Sequence, residues 1–156
     1  MPKAITPNLW FDTQAEEAAN HYCSIFPDSR IVEVLRTPGT DTVLTVDFEL
    51  QGKRFTGING GPEFAFTEAV SFMIECADQA ELDHYWERLT DGGEEGPCGW
   101  CKDRYGLSWQ VVPAGMIELF RDDDPERARR ALTAMYGMRK LDIAAVRAAA
   151  EGVPAA

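Results

Sequence analysis

The sequence predicts an α+β fold of two tandem βαβββ modules, at about residues 1–62 and 69–113, with a helical extension over 114–156. A weak internal repeat places two His-Tyr pairs, at His21 and His84, 63 residues apart in similar surroundings. Each pair lies in an amphipathic stretch that follows one strand-like segment and precedes others. After Pro113 the pattern is helical. Because modules of this size have little core of their own, we expect residues 1–113 to form one domain.

Both module helices are predicted from their capping residues and their apolar stripes. Thr13 and Glu16 stand three residues apart, as do Asp78 and Glu81, so their side chains can bond to the free amides of the first turn. The apolar residues at helical spacing are Ala15, Ala18, Ala19, Tyr22 and Phe26 in the first helix, and Leu82, Tyr85, Trp86 and Leu89 in the second. Each helix should cover one face of a sheet.

Strand candidates fill the rest of each module. In the first module they are residues 5–11, 30–36, 42–50 and 53–59, and in the second they are residues 71–76 and 107–112. The segment 42–50 alternates apolar and polar side chains, and Gln51-Gly52 predicts a tight turn after it. The second copy is looser, because a Gly/Pro-rich stretch follows Gly92.

The extension is predicted to contain two helices. Asp124 followed by Pro125 is typical of a helix start, and Asp142 begins an Ala-rich helix that ends near Gly152. The apolar face contains Ala128, Leu132, Met135 and Tyr136, then Leu141, Ile143 and Val146. We expect this face to pack on the domain or on a dimer partner.

Charge and composition exclude several functions. The net charge of −11 disfavours nucleic acid and anionic membrane surfaces, because both need a basic face. No apolar run approaches the roughly 20 residues that span a bilayer. Residues 1–8 show no signal peptide, and the four cysteines are spaced irregularly, so we expect a cytoplasmic protein with reduced thiols.

The pair Cys98 and Cys101 has the Cys-x-x-Cys spacing of redox and zinc sites. A redox pair needs its first cysteine at a helix N-terminus, whereas the residues after Cys101 predict a turn into a strand. A structural zinc site would need two more ligands, and Cys23 and Cys76 are isolated. The alternative is a loop and strand lining a ligand pocket, which we favour.

The two histidines disfavour another set of sites. His21 and His84 point away from the apolar stripes of their helices, so both are expected on the solvated surface. A two-histidine metal site or a histidine base is therefore not expected.

The alternation of the strands predicts a concave ligand-binding surface. Leu9 and Phe11, like Phe72 and Ile74, suit the face under the helix. The candidate ligand-binding residues lie on the other face or near it: Asn8, Trp10, Asn59, Ser71, Met73, Cys98, Trp100 and Gln110. Polar and aromatic residues of this kind are common in small-molecule pockets.

Several motifs resemble one protein family. These are Asn59-Gly-Gly-Pro62, Ala69-Val-Ser-Phe72, Asp83 to Trp86, the run Gly99-Trp through Asp103-Arg-Tyr-Gly-Leu-Ser-Trp-Gln-Val-Val-Pro113, and Lys140-Leu-Asp-Ile-Ala. In these five places the sequence resembles the PhnB-like branch of the vicinal-oxygen-chelate superfamily. Glyoxalases, extradiol dioxygenases and bleomycin-resistance proteins belong to that superfamily. The resemblance implies paired βαβββ modules that form a cupped mixed sheet with outer helices, commonly in a homodimer.

Members of this branch often carry the description demethylubiquinone methyltransferase. The sequence does not support methyl transfer. It has no segment in which a strand, a Gly-x-Gly loop and a helix follow one another, as a nucleotide-type cofactor site requires.

The resemblance also implies where a metal would bind. Catalytic members of the superfamily hold a divalent metal with His, Glu or Gln on the first and last strand of each module. The matching positions here are Asn8, the carboxylate-free region of Asn59, Ser71 and Gln110. Because neutral oxygens alone hold transition metals poorly, we expect no metal or other cofactor. Weak divalent-metal binding at Gln110 is the alternative.

These observations predict a metal-free, dimeric protein that binds a small molecule in a cup between the modules, as sequestering resistance proteins do. The alternative is a lyase, isomerase or oxygenase on the same scaffold, using a degenerate metal site at Gln110 or the thiols of Cys98 and Cys101 at the pocket mouth. A protein that acts only through protein contacts is disfavoured, since that role needs no polar and aromatic cup.

Overall fold

The computed structural model describes residues 5–153, which divide into two compact units between Phe66 and Thr67. Residues 1–4, to which the expectation of no signal peptide applied in part, and residues 154–156 lie outside the described residues. Each unit contains one four-stranded sheet, as the two predicted βαβββ modules require. The α+β prediction is thereby confirmed.

The first unit is a βαβββ module. Its elements are β1 (Asn8–Phe11), α1 (Ala15–Ile25), β2 (Arg30–Arg36), β3 (Val43–Leu50) and β4 (Lys53–Asn59). The strand order is β1-β4-β3-β2, with β1 parallel to β4 and the other pairs antiparallel. Strand β1 begins at Asn8, three residues later than predicted, because Pro7 has no N–H to donate to the ladder. The predicted turn is present, with positive φ at Gln51 and Gly52.

The core of this unit lies between α1 and one face of the sheet. Phe48 on β3 is buried and stacks on Tyr22 of α1 and on Phe55 of β4, with ring centroids 6.2 and 5.5 Å apart. A Cβ at Gly57 would lie 3.1 Å from the Cβ of Ala15, so the helix lies close to the strand. The buried apolar stripe predicted for α1 is confirmed.

The predicted cap of α1 is wrong. The helix is preceded by Gln14, and no side chain at that position bonds to the first turn. Thr13 instead bonds through its backbone N–H to the Gln14 side chain. The backbone amide of Ala15 donates instead to the side chain of Asn59. Because Asn59 is distant in sequence, a capping rule based on neighbouring residues does not predict this contact.

The second unit repeats the module, and two of its strands are very short. Its elements are β5 (Ser71–Cys76), α2 (Gln79–Thr90), β6 (Glu94–Glu95), β7 (Trp100–Lys102) and β8 (Ser108–Pro113). The order is β5-β8-β7-β6, with β5 parallel to β8. The cap predicted for α2 is confirmed, because Asp78 accepts from the Glu81 amide at 2.9 Å and Glu81 accepts from the Ala77 amide. Strands β6 and β7 were not predicted, because two and three residues are too few to show alternation.

The extension belongs to the second unit and contains α3 (Met116–Phe120), α4 (Pro125–Tyr136) and α5 (Ile143–Ala150). Asp124 and Asp142 cap α4 and α5 as predicted, and the short α3 was not predicted. Tyr136, expected on the apolar face of α4, is 67% exposed, since it is the last residue of the helix and lies beyond the packed stripe.

The extension is fixed to α2 by one side chain above all. Gln79 donates to the carbonyl of Leu141 at 3.1 Å and accepts from the amide of Ile143 at 2.9 Å. Lys140 pairs with Asp83 at 2.8 Å, and Leu141 is fully buried. Within residues 5–153, no helix is long and apolar enough to cross a membrane.

Candidate functional site

The open face of the second sheet, the face away from α2, carries two rows of candidate side chains. Strand register places Met73, Gln110 and Trp100 side by side across β5, β8 and β7. The next row contains Ser71, Ser108, Lys102 and Glu94. Residues paired in register share a face of the sheet, so four of the predicted ligand-binding residues lie together.

Gln110 and Ser71 form the polar centre of this face. The Gln110 side-chain amide donates from Nε2 to Oγ of Ser71 at 2.8 Å, across neighbouring parallel strands. The contact holds the glutamine side chain in one orientation, and both residues are half-buried. Met73 beside them is 50% exposed. Together they offer a hydrogen-bonding amide beside a flexible apolar side chain.

A cavity of about 610 Å³ adjoins this face within the second unit. Trp100, Lys102 and Ser108 line it from the sheet, and the loop that includes Cys98 lines it as well. Glu68 and Tyr136, which were not predicted as site residues, complete the wall. The cavity volume lies in the range usual for small-molecule sites.

Ser108 is the most deeply buried polar member of this cavity wall. The residue is 1% exposed, and its Oγ has no hydrogen-bond partner within the described part of the chain. Buried hydroxyls are normally bonded, so this one is a candidate to meet a ligand or a water molecule. Alternation in β8 places Ser108 on the open face with Gln110, but only the folded chain reveals its burial.

Lys102 and Glu68 form an ion pair at the edge of the cavity, with Nζ 2.6 Å from Oε1. The hydrogen bond that Lys102 donates to Glu68 raises the pKa of Lys102 and lowers the pKa of Glu68. Both groups therefore remain charged near neutral pH. Neither residue was singled out from the sequence, since Glu68 lies in a loop and Lys102 on a strand too short to predict.

The Cys-x-x-Cys pair does not provide a reactive thiolate. Cys101 lies on β7, pairs with Trp109 on the face under α2, and is buried. Burial, with Asp103 and Glu95 nearby, raises the pKa of the Cys101 thiol to about 12. Cys98 lies in a turn with φ of 60°, and burial raises the pKa of its thiol too. All four cysteines are free thiols.

Trp10, on β1 of the first unit, is held by the Asn59-Gly-Gly-Pro62 loop. Its indole Nε1 donates to the carbonyl of Gly61 at 2.9 Å, and Phe64 packs edge-on with ring centroids 5.0 Å apart. A Cβ on Gly60 would overlap the indole, so this position accepts no larger residue without moving Trp10. The loop formed by this motif therefore fixes the position of Trp10.

Asn59 occupies a different face from Trp10 and Asn8. Strand register pairs Asn59 with Phe11, on the side covered by α1. Its Oδ1 accepts from the Ala15 amide at 2.8 Å, and its Nδ2 donates to the Val43 carbonyl at 3.1 Å. Both ends of the amide are bonded to backbone groups of the first unit.

Asn8 lies on the open face of the first sheet in a polar row. It is paired in register with Thr56, which is paired with Asp47 on β3. The Asn8 amide bonds to the carbonyl of Thr6 at 2.9 Å. A hydrogen bond from the Thr56 hydroxyl, at 2.6 Å, lowers the pKa of Asp47, so this unpredicted residue places a carboxylate on the same face.

The Asp103-Arg-Tyr-Gly turn is organised by one buried carboxylate. Oδ1 of Asp103 accepts from the amides of Tyr105 and Leu107 at 2.9 and 3.1 Å, and Oδ2 accepts from the indole of Trp109 at 2.9 Å. The turn therefore fixes the start of β8, and with it the direction of Ser108 and Gln110.

The donors present do not suit a divalent metal. Among the described residues no three His, Cys, Asp or Glu side chains lie close enough together to hold one. His84 is exposed, as expected. His21 is half-buried rather than solvated, because its ring lies beside that of Tyr22, with centroids 6.0 Å apart. Gln110 and Ser71 offer neutral oxygens, which bind transition metals poorly.

Comparison with protein families gives one match over most of the chain. The family model described as 3-demethylubiquinone-9 3-methyltransferase matches residues 3–112. No curated protein matches the chain.

Solved structures share the fold. The PhnB protein of Bacillus cereus, described as a 3-demethylubiquinone-9 3-methyltransferase, is 32% identical and covers 72% of this chain and 100% of its own, with a TM-score of 0.65. A Pseudomonas aeruginosa protein is 17% identical over 72% of this chain and 98% of its own, with a TM-score of 0.60. The fosfomycin resistance protein FosX of Mesorhizobium loti is 15% identical over 78% of this chain and 99% of its own, with a TM-score of 0.59.

Proposed function

The chain belongs to the PhnB-like family described as 3-demethylubiquinone-9 3-methyltransferase, and on that premise we propose that it is a metal-free small-molecule-binding protein. The ligand lies against the open face of the sheet of the second unit. The observation that carries the proposal is the hydrogen bond from Gln110 to Ser71, flanked by Met73 and Trp100 on one open sheet face.

In this proposal each predicted residue has a distinct part. Gln110 donates to Ser71 through Nε2, so its Oε1 is the acceptor for a ligand, and Trp100 supplies a flat apolar surface. Asn8 and Trp10 lie on the open face of the first sheet, while Asn59 positions the loop that holds Trp10. Met73 and Cys98 add apolar contacts.

An enzyme on the same scaffold has less support. The raised pKa of Cys101, about 12, and the raised pKa of Cys98 leave both thiols protonated near neutral pH. Lyase, isomerase or oxygenase chemistry with a metal would need more anionic or imidazole donors beside Gln110. Methyl transfer would need a cofactor loop of which the sequence has no trace.

We also propose a homodimer in the cytoplasm. Leu35 and Leu44 of the first unit, which are 50% and 41% exposed, are the side chains that we propose for contact with the partner. Free thiols suit a reducing compartment. Light scattering after size exclusion tests the dimer, and a monomer at micromolar concentration would contradict it.

Metal and ligand content test the function together. Protein purified without chelators is analysed by plasma mass spectrometry, and by native mass spectrometry for bound small molecules. We expect less than about one metal per ten chains. A co-purified or added compound should raise the unfolding midpoint of the wild type and not that of Gln110→Ala, with Gln14→Ala as the matched surface control. Stoichiometric metal would contradict the metal-free proposal.

A further inference from the structure

We infer that the 610 Å³ cavity of the second unit is a subsite for an organic cation with an aromatic body, and that the C-terminal extension sets its specificity. The inference rests on the proposed binding function and adds the class of ligand and the segment that selects it. Three features of the described residues carry it: the origin of the cavity wall, its charge, and its buried hydroxyl.

The extension builds one side of the cavity and shapes the opposite loop. Tyr136, at the end of α4, lines the cavity directly. The next residues hold the loop in place, because the carbonyls of Met138 and Arg139 accept from the amides of Cys98 and Gly99 at 2.7 and 2.8 Å. A Cβ at Gly99 would lie 3.0 Å from Leu141, so the two segments are in close contact.

This part of the chain lies outside the family match, which ends at residue 112. The extension is fixed to α2 through Gln79 and the buried Leu141, so Tyr136 projects from an anchored segment. Because Tyr136 lies outside the region shared with the family, its contact with a ligand makes the selectivity of the cavity specific to this chain.

The charge of the wall favours a cation. Two carboxylates, on Glu68 and Glu94, lie on the cavity side with one ammonium group, on Lys102. Glu68 and Lys102 neutralise each other at 2.6 Å, which leaves the negative charge of Glu94, while the Glu95 carboxylate accepts from the Trp86 indole at 3.0 Å. An anionic ligand would have to displace Glu68 from Lys102 and approach the Glu94 carboxylate, in a chain whose net charge is −11. A cationic ligand is not repelled by these carboxylates.

The remaining groups favour an aromatic ligand with a hydrogen-bonding group. Trp100 and Tyr136 present ring faces or edges to the cavity, and aromatic rings attract both flat apolar molecules and cations. Ser108 supplies a buried hydroxyl without a partner among the described residues, and a ligand group that reached it would satisfy it.

Two probes with the same ring and opposite charge test the inference. The full chain is titrated calorimetrically with 1-naphthylmethylamine and with 1-naphthaleneacetate at pH 7 and low salt. We expect the amine to bind at least about tenfold more tightly, as a cation between aromatic rings and carboxylates should. Equal affinities, or tighter binding of the acetate, would overturn the inference.

Matched variants locate the site. Tyr136→Ala should weaken amine binding about tenfold, and Glu94→Gln should reduce the preference for the amine over the acetate by several-fold. Ile117→Ala, an exposed residue of the extension that does not line the cavity, is the control and should bind as the wild type does. Tyr136 is largely exposed, so its replacement should leave the unfolding midpoint unchanged. Unchanged amine affinity in Tyr136→Ala would refute the role of the extension.

Gln110→Ala separates this inference from the proposed function. If Gln110→Ala abolishes amine binding while Tyr136→Ala does not affect it, the ligand lies on the open sheet face, and only the inference fails. If neither probe binds, the inference about ligand class is wrong, and the thermal-shift comparison of Gln110→Ala with wild type still decides the function. Loss in both variants supports the inference and the function together.

Discussion

The side-chain oxygen of Asn59 accepts a hydrogen bond from the backbone amide of Ala15 at 2.8 Å, so the end of β4 caps the start of α1. This polar contact joins two residues of the first unit that are far apart in sequence. The same asparagine donates to the Val43 carbonyl on β3.

Asn59→Ala should destabilise the protein by about 1–2 kcal/mol, because it leaves the Ala15 amide and the Val43 carbonyl without partners. Urea unfolding followed by circular dichroism measures the change. Asn8→Ala is the matched control, since the Asn8 amide bonds only locally, to Thr6. A difference below about 0.5 kcal/mol between the two variants would show that the cap is dispensable.

Gly60→Ala should displace the Trp10 indole and cost about 1–3 kcal/mol, because the new methyl group would overlap the ring. Tryptophan fluorescence should shift along with the unfolding midpoint. Gly137→Ala is the control, since Gly137 has φ of −83° and a Cβ there would meet only the Ala134 carbonyl, at 3.5 Å. Equal stability of the two variants would mean that Trp10 is free to move.

Asp103→Asn should destabilise the second unit by about 1–3 kcal/mol, because one carboxylate oxygen becomes an amide nitrogen facing a donor. A double-mutant cycle with Trp109→Phe isolates the 2.9 Å contact between Oδ2 and the indole. We expect a coupling free energy above about 0.5 kcal/mol. Additive effects of the two substitutions would disprove the contact's contribution.

Alkaline pH should destabilise the protein through its buried thiols. Burial raises the pKa of Cys76 and Cys101 from 9.0 to about 12, so both stay protonated in the folded chain while the unfolded chain loses these protons. The contribution of these protonated thiols to the unfolding free energy is fully present below pH 9 and is lost as the pH rises towards 12. Each thiol lowers the unfolding free energy by about 1.4 kcal/mol per pH unit in that window.

The measurement is urea unfolding at pH 8 and pH 10 for the wild type and for Cys101→Ala. The variant should lose less stability between the two pH values, by about 1 kcal/mol. Cys98→Ala serves as the comparison, since Cys98 is only half-buried. Parallel pH profiles for wild type and Cys101→Ala would contradict the buried-thiol explanation.

Gln79→Ala should loosen the extension from α2. The side chain makes two hydrogen bonds with the segment 141–143, so its loss should cost about 1–2 kcal/mol and raise amide exchange at Ile143. Gln14→Ala is the surface control. Unchanged exchange at Ile143 would show that packing of Leu141 alone holds the extension.

Much of the fold followed from periodicity. The stripes of α1 and α2 predicted buried faces that the structure confirms, and so did the alternation of 42–50 except at Leu44, which is 41% exposed. The motifs predicted the family correctly. The cap of α1 was mispredicted because Asn59 acts across 44 residues. Strands β6 and β7 are too short to carry a pattern.

The candidate site was only partly accessible from sequence. Alternation placed Ser71, Met73 and Gln110 on one face, as the register confirms. The cavity residues Glu68, Ser108 and Tyr136 come from a loop, a strand and the extension, and no spacing connects them. Their proximity arises from tertiary packing, which a one-dimensional pattern does not contain.

The two motifs that reveal this family, at Asn59 to Pro62 and at Asp103 to Gln110, direct nearly all their polar groups to contacts within their own unit. These contacts therefore account for the fold of each unit. The family match ends at residue 112, and Tyr136, which lines the cavity of the second unit, follows it. The residues by which this chain differs from the family model at that cavity therefore include one that comes after Pro113.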